Sequence, residues 1–247
     1  MKILLKTETE IEKMRLSGKI LHETLKRLAI CAKVGMQTSE LEEIAQALLK
    51  EKGVRPAFVG FGGYPAALCV SVNEEAVHGV PGTRRLKDGD LVSVDLGVDY
   101  EGLITDAAIT VGVGRITPVQ QRLLETALLA LQEGIRAAKV GNFTGDIGWA
   151  IQKVVEQAGF AVIRDLTGHG VGRFLHEDPA VPNFGRPKVG VPLRLGMTIA
   201  IEPIIATVPT EIKLARDGYT YLTTNGAHVV QVEHTIAIMK DGPEILT

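Results

Sequence analysis

The stretch Lys33-Val34-Gly35-Met36-Gln37-Thr38 recurs 106 positions later as Lys139-Val140-Gly141-Asn142-Phe143-Thr144. The likeness continues downstream at the same offset, where Leu41, Ile44, Gln46, Leu48, Leu49 and Gly53 match Ile147, Ala150, Gln152, Val154, Val155 and Gly159. Both segments have the pattern of an amphipathic helix that ends at a glycine. Two amphipathic helices can resemble each other by chance, but the shared Lys-Val-Gly-x-x-Thr favours an internal duplication.

Another helical pattern precedes each copy of the repeat. The first runs from Thr9 to Ala32, and its apolar residues form one stripe that contains Ile11, Met14, Leu21, Leu25 and Leu28. The second runs from Thr117 to Ala138. There Thr117 is a suitable N-cap, Pro118 suits the first helical position, and Gln120 completes a capping box.

Strand-like apolar runs follow each pair of helices. They span Ala67–Val72, Leu91–Val98, Leu103–Val113, Met197–Ala206, Tyr219–Thr223 and Val229–Met239. The sequence therefore predicts an α+β fold in which helices cover one face of a mostly antiparallel sheet. We expect one catalytic domain over residues 1–247 with pseudo-symmetric halves at about 1–115 and 116–247, and a ligand site where the halves meet.

Composition excludes several classes of function. The chain has 27 Lys and Arg against 29 Asp and Glu, a net charge of -2, and 4% aromatic residues, so it lacks the signature of a nucleic-acid-binding protein. The charged N-terminal run from Met1 to Lys6 is not a secretory signal, and the uncharged stretch 56–73 contains prolines and glycines, unlike a membrane helix. Two cysteines, Cys31 and Cys69, cannot form a disulfide framework, which favours a cytoplasmic protein.

Basic residues are interspersed with glutamates near the N-terminus. We interpret these residues as a solvated helical face, and a role in docking on the ribosome stays open. They are Lys2, Lys6, Lys13, Arg15, Lys19, Lys26 and Arg27.

Two aspartates flank a predicted hairpin. A hairpin centred on Tyr100 and Glu101 would put Asp95 directly opposite Asp106, with Cβ atoms ~5 Å apart. Like charges inside apolar strands are destabilising without a cation, so the pair suits a divalent metal. In the alternative, one of the two faces solvent at the end of the hairpin, because strand register slips easily.

Three further polar residues lie in apolar or glycine-rich surroundings. His169 sits in Thr167-Gly168-His169-Gly170-Val171-Gly172, and a lone histidine of this kind is more often a turn residue than a ligand. Glu202 and Glu233 each lie inside a strand-like apolar run, where an unpaired charge is costly. Together with the two aspartates they suggest an oxygen-rich metal site with one nitrogen ligand.

The ordered set Asp95, Asp106, His169, Glu202 and Glu233 resembles the metal ligands of the type I methionine aminopeptidases, which have the pita-bread fold. The matching motifs are Ser71-Val72-Asn73-Glu74, His78-Gly79-Val80-Pro81, Val94-Asp95-Leu96-Gly97, Thr105-Asp106-Ala107-Ala108, Gly168-His169-Gly170-Val171-Gly172, Ile201-Glu202-Pro203 and Gln231-Val232-Glu233-His234-Thr235. They span nearly the whole chain. We therefore expect the short form, without the N-terminal zinc-binding extension or the helical insertion of the type II enzymes.

The resemblance implies a role for each residue. Asp106 and Glu233 would bridge two divalent ions of Co, Mn, Fe or Zn, Asp95 would bind one ion, and His169 and Glu202 the other. A hydroxide between the ions would attack the first peptide bond of nascent proteins and release the initiator methionine, with Glu202 handling the proton. His176 would stabilise the oxyanion, and His78 would contact the next amide nitrogen. The enzyme is expected to act as a monomer.

The resemblance also implies a methionine pocket. Its wall would contain Tyr64, Cys69, Leu175 and Tyr219, with Phe61 nearby and Cys69 as a structural thiol. Leu175 stands where phenylalanine is usual, and Tyr219 where tryptophan is common. Two alternatives remain, namely an X–Pro peptidase of the same fold and a non-catalytic binding module built on it.

Overall fold

The computed structural model describes residues 3–247. Met1 and Lys2 lie outside the described residues, so the interpretation of Lys2 as solvated stays a prediction. The helices are α1 Glu8–Cys31, α2 Thr38–Glu51, α3 Pro118–Ala137 and α4 Thr144–Gln157, with a short 3-10 helix at Phe61–Gly63. The strands are β1 Arg55–Pro56, β2 Leu68–Val72, β3 Glu75–Val77, β4 Leu91–Tyr100, β5 Leu103–Gly112, β6 Ala161–Val162, β7 Thr167–Gly170, β8 Glu177–Pro182, β9 Thr198–Ile201, β10 Ile204–Ala206, β11 Ile212–Leu214, β12 Tyr221–Thr223, β13 Val229–Gln231, β14 His234–Met239 and β15 Gly242–Ile245.

The helices begin and end where the local sequence predicts. Thr7 and Thr117 cap α1 and α3, and each forms a reciprocal capping box with the residue three positions on. The repeated helices α2 and α4 are each followed by a glycine with positive φ, Gly53 at 67° and Gly159 at 81°. Within residues 3–247, none of the helices combines the length and hydropathy that crossing a membrane requires.

All strand pairs between these elements are antiparallel, and they form four sheets. In the first half, β4 pairs with β5 on one edge and with β2 and then β1 on the other. In the second half, the largest sheet has the order β15-β14-β9-β7-β8. The α+β prediction with antiparallel pairing is therefore confirmed.

The two helix pairs pack in separate hydrophobic clusters. One cluster joins α1 and α2 to β2 and β4 through buried residues such as Leu21, Leu41 and Val94. The other joins α3 and α4 to β9 and β14 through residues such as Ile147 and Ile236. Burying one such side chain contributes about 1.5–3 kcal/mol, so the apolar stripes account for the packing of the helices. The boundary of the halves near residue 115 stays a prediction.

The predicted register of the β4–β5 hairpin is wrong by two residues. Tyr100 pairs with Leu103, so the turn residues are Glu101 and Gly102, with φ of 52° and 81°. Positive φ at both positions is typical of the type I′ turn, whose twist matches that of the strands. Asp95 therefore faces Ala108 and Asp106 faces Gly97. Because side chains alternate with a period of two, both carboxylates still share one face and meet diagonally.

Two predicted strands are interrupted at their glutamates. The run Met197–Ala206 divides into β9 and β10 at Glu202 and Pro203, and the run Val229–Met239 divides into β13 and β14 around Glu233. Proline has no N–H to donate to the ladder, which ends β9. At both breaks a glutamate lies outside the strand ladder, near the junction of the two halves.

The interpretation of Lys6 as solvated is wrong. Lys6 precedes α1, and its side chain is only 1% exposed because it lies against the buried carboxylate of Glu177. Lys19, Lys26 and Arg27 are exposed on α1, as predicted.

Candidate active site

The two halves are joined by hydrogen bonds along β5. The Glu233 amide donates to the Ala108 carbonyl at 2.9 Å. Two residues further along β5, the Thr110 hydroxyl donates to the Gln231 carbonyl at 2.6 Å. Two residues before Ala108 on β5, the Asp106 amide donates to the Thr235 hydroxyl at 2.9 Å. These contacts bring the second-half residues onto the face of β4 and β5 that carries the aspartates.

Four carboxylates converge at this junction with one imidazole. All four acidic residues are buried: Asp95, Asp106, Glu202 and Glu233. The Nε2 of His169 lies 3.8 Å from Asp106 Oδ2 and 3.7 Å from Glu202 Oε1. One ligand atom each from Asp106, His169 and Glu233 lies within 4.8 Å of the others. The structure thus brings together all five residues that the sequence suggests as metal ligands.

The orientation of His169 suits a ligand. Its Nδ1 lies 2.9 Å from the Gly170 carbonyl, which can only accept, so the proton of a neutral ring resides on Nδ1. The lone pair of Nε2 then faces the carboxylates, as in metal sites whose backbone partner selects the tautomer. Burial lowers the pKa of His169 to about 3, so the ring is neutral and available to a metal.

The carboxylates have oxygen atoms that no protein donor satisfies. Asp95 Oδ1, Asp106 Oδ1 and Glu233 Oε1 are buried and have no hydrogen-bond partner among residues 3–247. Such atoms are costly in a protein interior unless a cation or proton compensates them. Oxygen donors with one imidazole suit first-row divalent metals, so the donor set fits a metal centre.

Burial among like charges also raises the proton affinity of the cluster. Desolvation raises the pKa of Asp95 to about 7. Desolvation, followed by the negative charges of the neighbouring carboxylates, raises the pKa values of Asp106 and Glu233 well above their usual range. The pKa of Glu202 is raised in the same way, with Asp95 as the neighbouring charge. A bound divalent cation would reverse this effect by favouring the ionised forms.

Gln231 links two carboxylates of the cluster, Asp95 and Glu202. No role for it was predicted from the sequence. Its Nε2 lies 3.2 Å from Asp95 Oδ2 and 3.4 Å from Glu202 Oε2, so one amide contacts carboxylates from both halves. The signal that could have identified it is a glutamine in the apolar run Val229–Val232, two residues before Glu233. Two other buried side chains hold the backbone of suggested ligands. The Thr235 hydroxyl accepts the Asp106 amide, and the Asn183 Nδ2 donates to the Glu202 carbonyl at 2.8 Å.

His78 and His176 border the carboxylate cluster. The ring centroid of His176 lies 4.3 Å from that of His169 and 4.9 Å from that of Phe61, both in edge-on contacts. Burial lowers the pKa of His78 to about 4 and also lowers that of His176. Both rings are therefore neutral near pH 7, and each can donate one N–H to a substrate.

A cavity of about 210 Å³ opens above the carboxylates. Its lining includes every residue that the sequence suggested for substrate binding, namely Phe61, Tyr64, Cys69, His78, Leu175, His176 and Tyr219. Tyr64 and Tyr219 pack edge to face with centroids 5.4 Å apart, and the Tyr219 hydroxyl donates to the Gly63 carbonyl at 2.7 Å. The cavity thus joins an apolar wall to a polar floor.

Phe58 and Gly62 also line the cavity and were missed from the sequence. A Cβ on Gly97 would lie 2.7 Å from a ring carbon of Phe58, so a larger residue at this position would force the ring to shift. The glycine two positions after Asp95 was the available signal.

Cys69 forms part of the wall, directly across the strand pair from Asp95. Burial, followed by the charge of Asp95, raises the pKa of its thiol well above the usual range. A protonated buried thiol is a poor nucleophile, which agrees with a structural role.

The model of metallopeptidase family M24 matches residues 12–240. The chain belongs to metallopeptidase family M24. This M24 peptidase is 46% identical to the methionine aminopeptidase of Clostridium perfringens, over 99% of the chain and 98% of that protein. The crystal structure of methionine aminopeptidase from Thermotoga maritima superposes with a TM-score of 0.98 at 44% identity, covering 100% of this chain and 99% of that one.

A more distant structural match is a longer protein. The prolidase of Pyrococcus horikoshii matches with a TM-score of 0.80 and 26% identity, covering 98% of this chain but 63% of that one. The expectation of a pita-bread fold is confirmed by these superpositions. Membership in a metallopeptidase family agrees with the metal-binding chemistry of the buried cluster.

Proposed function

We propose that this M24 peptidase is a methionine aminopeptidase that removes the initiator methionine from newly made proteins. One observation carries the proposal. An apolar cavity large enough for one side chain opens directly onto a buried cluster of four carboxylates and His169. Near-complete coverage of relatives with that name supports it.

The proposed centre would hold two divalent ions. Asp106 and Glu233 would bridge them, Asp95 would serve one ion, and His169 with Glu202 the other. The unsatisfied oxygens of Asp95, Asp106 and Glu233 support cation binding by these three carboxylates. When bound, such ions polarise a carbonyl and lower the pKa of a coordinated water. Mixed carboxylate and imidazole ligation accepts Mn, Fe, Co or Zn.

The residues around the centre would perform the proton transfers of peptide hydrolysis. Glu202 is the proposed base, since its carboxylate lines the cavity, where it could accept the proton of the attacking water and return it to the leaving amine. A neutral His176 would donate an N–H to the scissile carbonyl oxygen as negative charge develops there. His78, on the same cavity, would contact the next peptide nitrogen.

Selectivity for methionine would come from the cavity wall. Tyr64, Cys69 and Leu175 are buried together with Phe58 in one apolar cluster. Sulfur interacts favourably with aromatic rings, so a thioether side chain suits a wall of this composition. Tyr219, which packs on Tyr64, would complete this wall, and Phe61 would form the rim that meets the second residue of the substrate.

One experiment tests the proposal against its alternatives. The metal-stripped protein receives Mn, Fe, Co or Zn in turn, and cleavage of Met-Ala-Ser, Met-Lys-Ser and Ala-Pro peptides is followed. We expect release of methionine from Met-Ala-Ser with at least one metal, and little or none from Met-Lys-Ser. Preference for Ala-Pro would indicate an X–Pro peptidase, and metal uptake without any cleavage would indicate a binding module.

The proposed enzyme works in the cytoplasm, where chains are synthesised and where the free thiols of Cys31 and Cys69 remain reduced. We propose that it acts as a monomer, because one chain supplies all five suggested ligands. Sedimentation of the metal-loaded protein with and without ribosomes tests the monomer and any ribosome docking together.

A further inference from the structure

One loop carries two residues of the proposed substrate site. It spans residues 171–176 between β7 and β8, and it ends with Leu175 in the apolar wall and His176 beside His169. His169 itself lies on β7 just before the loop. The position of the His176 ring relative to the metal ligands therefore depends on the conformation of residues 171–176.

The carboxylate of Glu177 holds this loop by accepting hydrogen bonds from the loop backbone. Its Oε1 accepts the amide N–H groups of Arg173 at 2.7 Å and of Phe174 at 3.1 Å. Glu177 is the residue directly after His176, and its side chain is 2% exposed. A buried carboxylate therefore closes a tight turn on the N-terminal side of the two substrate residues.

Lys6 supplies the positive charge that this buried carboxylate requires. Its Nζ donates to Glu177 Oε2 and to the Leu4 carbonyl. The backbone of Lys6 is held in turn, because its N–H donates to the Gly196 carbonyl at 2.7 Å. Burial lowers the pKa of the Lys6 ammonium, and Glu177 opposes that shift. Without the ammonium, Glu177 would be a buried charge whose remaining cationic neighbour, Arg173, is already paired with Glu10.

The stem of Lys6 also fits the loop sterically. A Cβ on Gly172 would lie 2.3 Å from Cε of Lys6, so the lysine occupies space that only a glycine leaves free. The Gly172 carbonyl accepts the Ile104 amide at 2.6 Å, which ties the same point of the loop to β5. The loop is thus held between β5 and the segment that precedes α1.

We propose that Lys6 and Glu177 are positioning residues that hold Leu175 and His176 in register with the metal ligands. The proposal rests on the proposed aminopeptidase function, and neither residue is assigned contact with substrate. Misplacement of a catalytic group by about 1 Å can cost on the order of 10²-fold in rate. Loss of the Lys6 ammonium should therefore lower kcat through His176 and raise KM through Leu175.

The test combines Lys6→Met with His176→Ala in the metal-loaded enzyme. Lys6→Met keeps the stem over Gly172 and removes the charge. We expect it to lower kcat about 10- to 100-fold in the wild-type background but less than about threefold in the His176→Ala background, because residues that act through one another are not additive. A matched control is Lys13→Met, which removes a lysine from an exposed ion pair with Glu101 and should leave kcat unchanged.

A second measurement does not depend on activity. Hydrogen exchange at the Arg173 and Phe174 amides should be faster by about tenfold or more in Lys6→Met, because their acceptor is no longer held. If Lys6→Met does not fold, Lys6→Met/Glu177→Gln replaces it, since this pair leaves no buried charge and keeps an oxygen for both amides. The double variant should regain part of the lost kcat.

Equal losses of kcat in both backgrounds, or a folded Lys6→Met enzyme with unchanged kcat and unchanged exchange, would overturn the proposal. Failure of the proposed function is distinct, because the wild-type protein would then cleave no Met-Ala-Ser with any metal. The exchange rates would still decide whether Lys6 holds the loop.

Discussion

Thr235 binds both backbone polar groups of Asp106. The Thr235 hydroxyl accepts the Asp106 amide at 2.9 Å and donates to the Asp106 carbonyl at 2.7 Å. Asp106 lies on β5 in the first half, and Thr235 lies on β14 in the second, two residues after Glu233. One side chain therefore sets the spacing between the two residues that we propose as bridging ligands.

Replacing this hydroxyl should weaken metal binding. Thr235→Val keeps the shape but leaves two buried backbone groups unsatisfied, at about 1–3 kcal/mol each. We expect the metal affinity to fall about 10- to 100-fold, the range for losing a group that orients a ligand. Metal titration followed by calorimetry measures it. Thr235→Ser keeps the hydroxyl and is the matched control, and a Val variant with wild-type affinity would refute the role.

Removal of metal should abolish activity and lower stability. Chelation and Asp106→Asn are both expected to reduce turnover to the background, because a bridging ligand serves both ions. The stripped protein should melt at a lower temperature, since a metal that binds only the folded state adds about 2.7 kcal/mol at 100 times its Kd. Asp99→Asn, on the same hairpin but paired with Arg55 at the surface, is the control. Turnover by metal-free protein would exclude the proposed centre.

Substitution of His176 should separate chemistry from binding. His176→Ala is expected to lower kcat about 10²- to 10³-fold, as for loss of one oxyanion donor, with little change in KM. The wall of Tyr64, Cys69 and Tyr219 remains to bind methionine, and the metal content should stay at the wild-type level. Measuring kcat, Tm and bound metal on one preparation checks this. Loss of one metal equivalent would instead identify His176 as a ligand.

The stability of the metal-free protein should reveal the proton affinity of Asp95. Its folded pKa of about 7 lies above the ordinary 3.8, so its favourable contribution is complete below about pH 4 and is lost as pH rises towards 7. Each unit of raised pKa corresponds to about 1.4 kcal/mol. Metal-free Asp95→Asn should therefore gain stability relative to metal-free wild type between these pH values.

The comparison with the variant is needed because buried histidines act in the opposite direction. Burial lowers the pKa values of His78 to about 4 and of His169 to about 3, so their contributions improve as pH rises to their ordinary value of 6.5. Both histidines are present in wild type and variant, so the difference in Tm reports the loss of the Asp95 carboxyl together with its charge on Asp106, Glu202 and Glu233. A difference that does not change with pH would show that Asp95 titrates normally.

The helices of this protein follow from local sequence. Thr117, Pro118 and Gln120 predict the start of α3, and glycines predict the ends of α2 and α4, because capping uses only residues within one turn of a helix end. The repeat itself predicts two halves of the same construction. The residues of the candidate site could also be named from the sequence, because their motifs are short and specific.

Tertiary structure decided how those residues meet. The hairpin register depends on which two residues of the turn adopt positive φ. The break at Glu233 depends on its bond to Ala108 of β5 in the other half, whereas Pro203 ends β9 locally. Gln231, Phe58 and the buried Lys6 acquire their roles from partners far away in the chain, namely Asp95, Gly97 and Glu177 respectively. Periodicity and capping report local conformation and burial, whereas contacts of this range arise only when the two halves pack against each other.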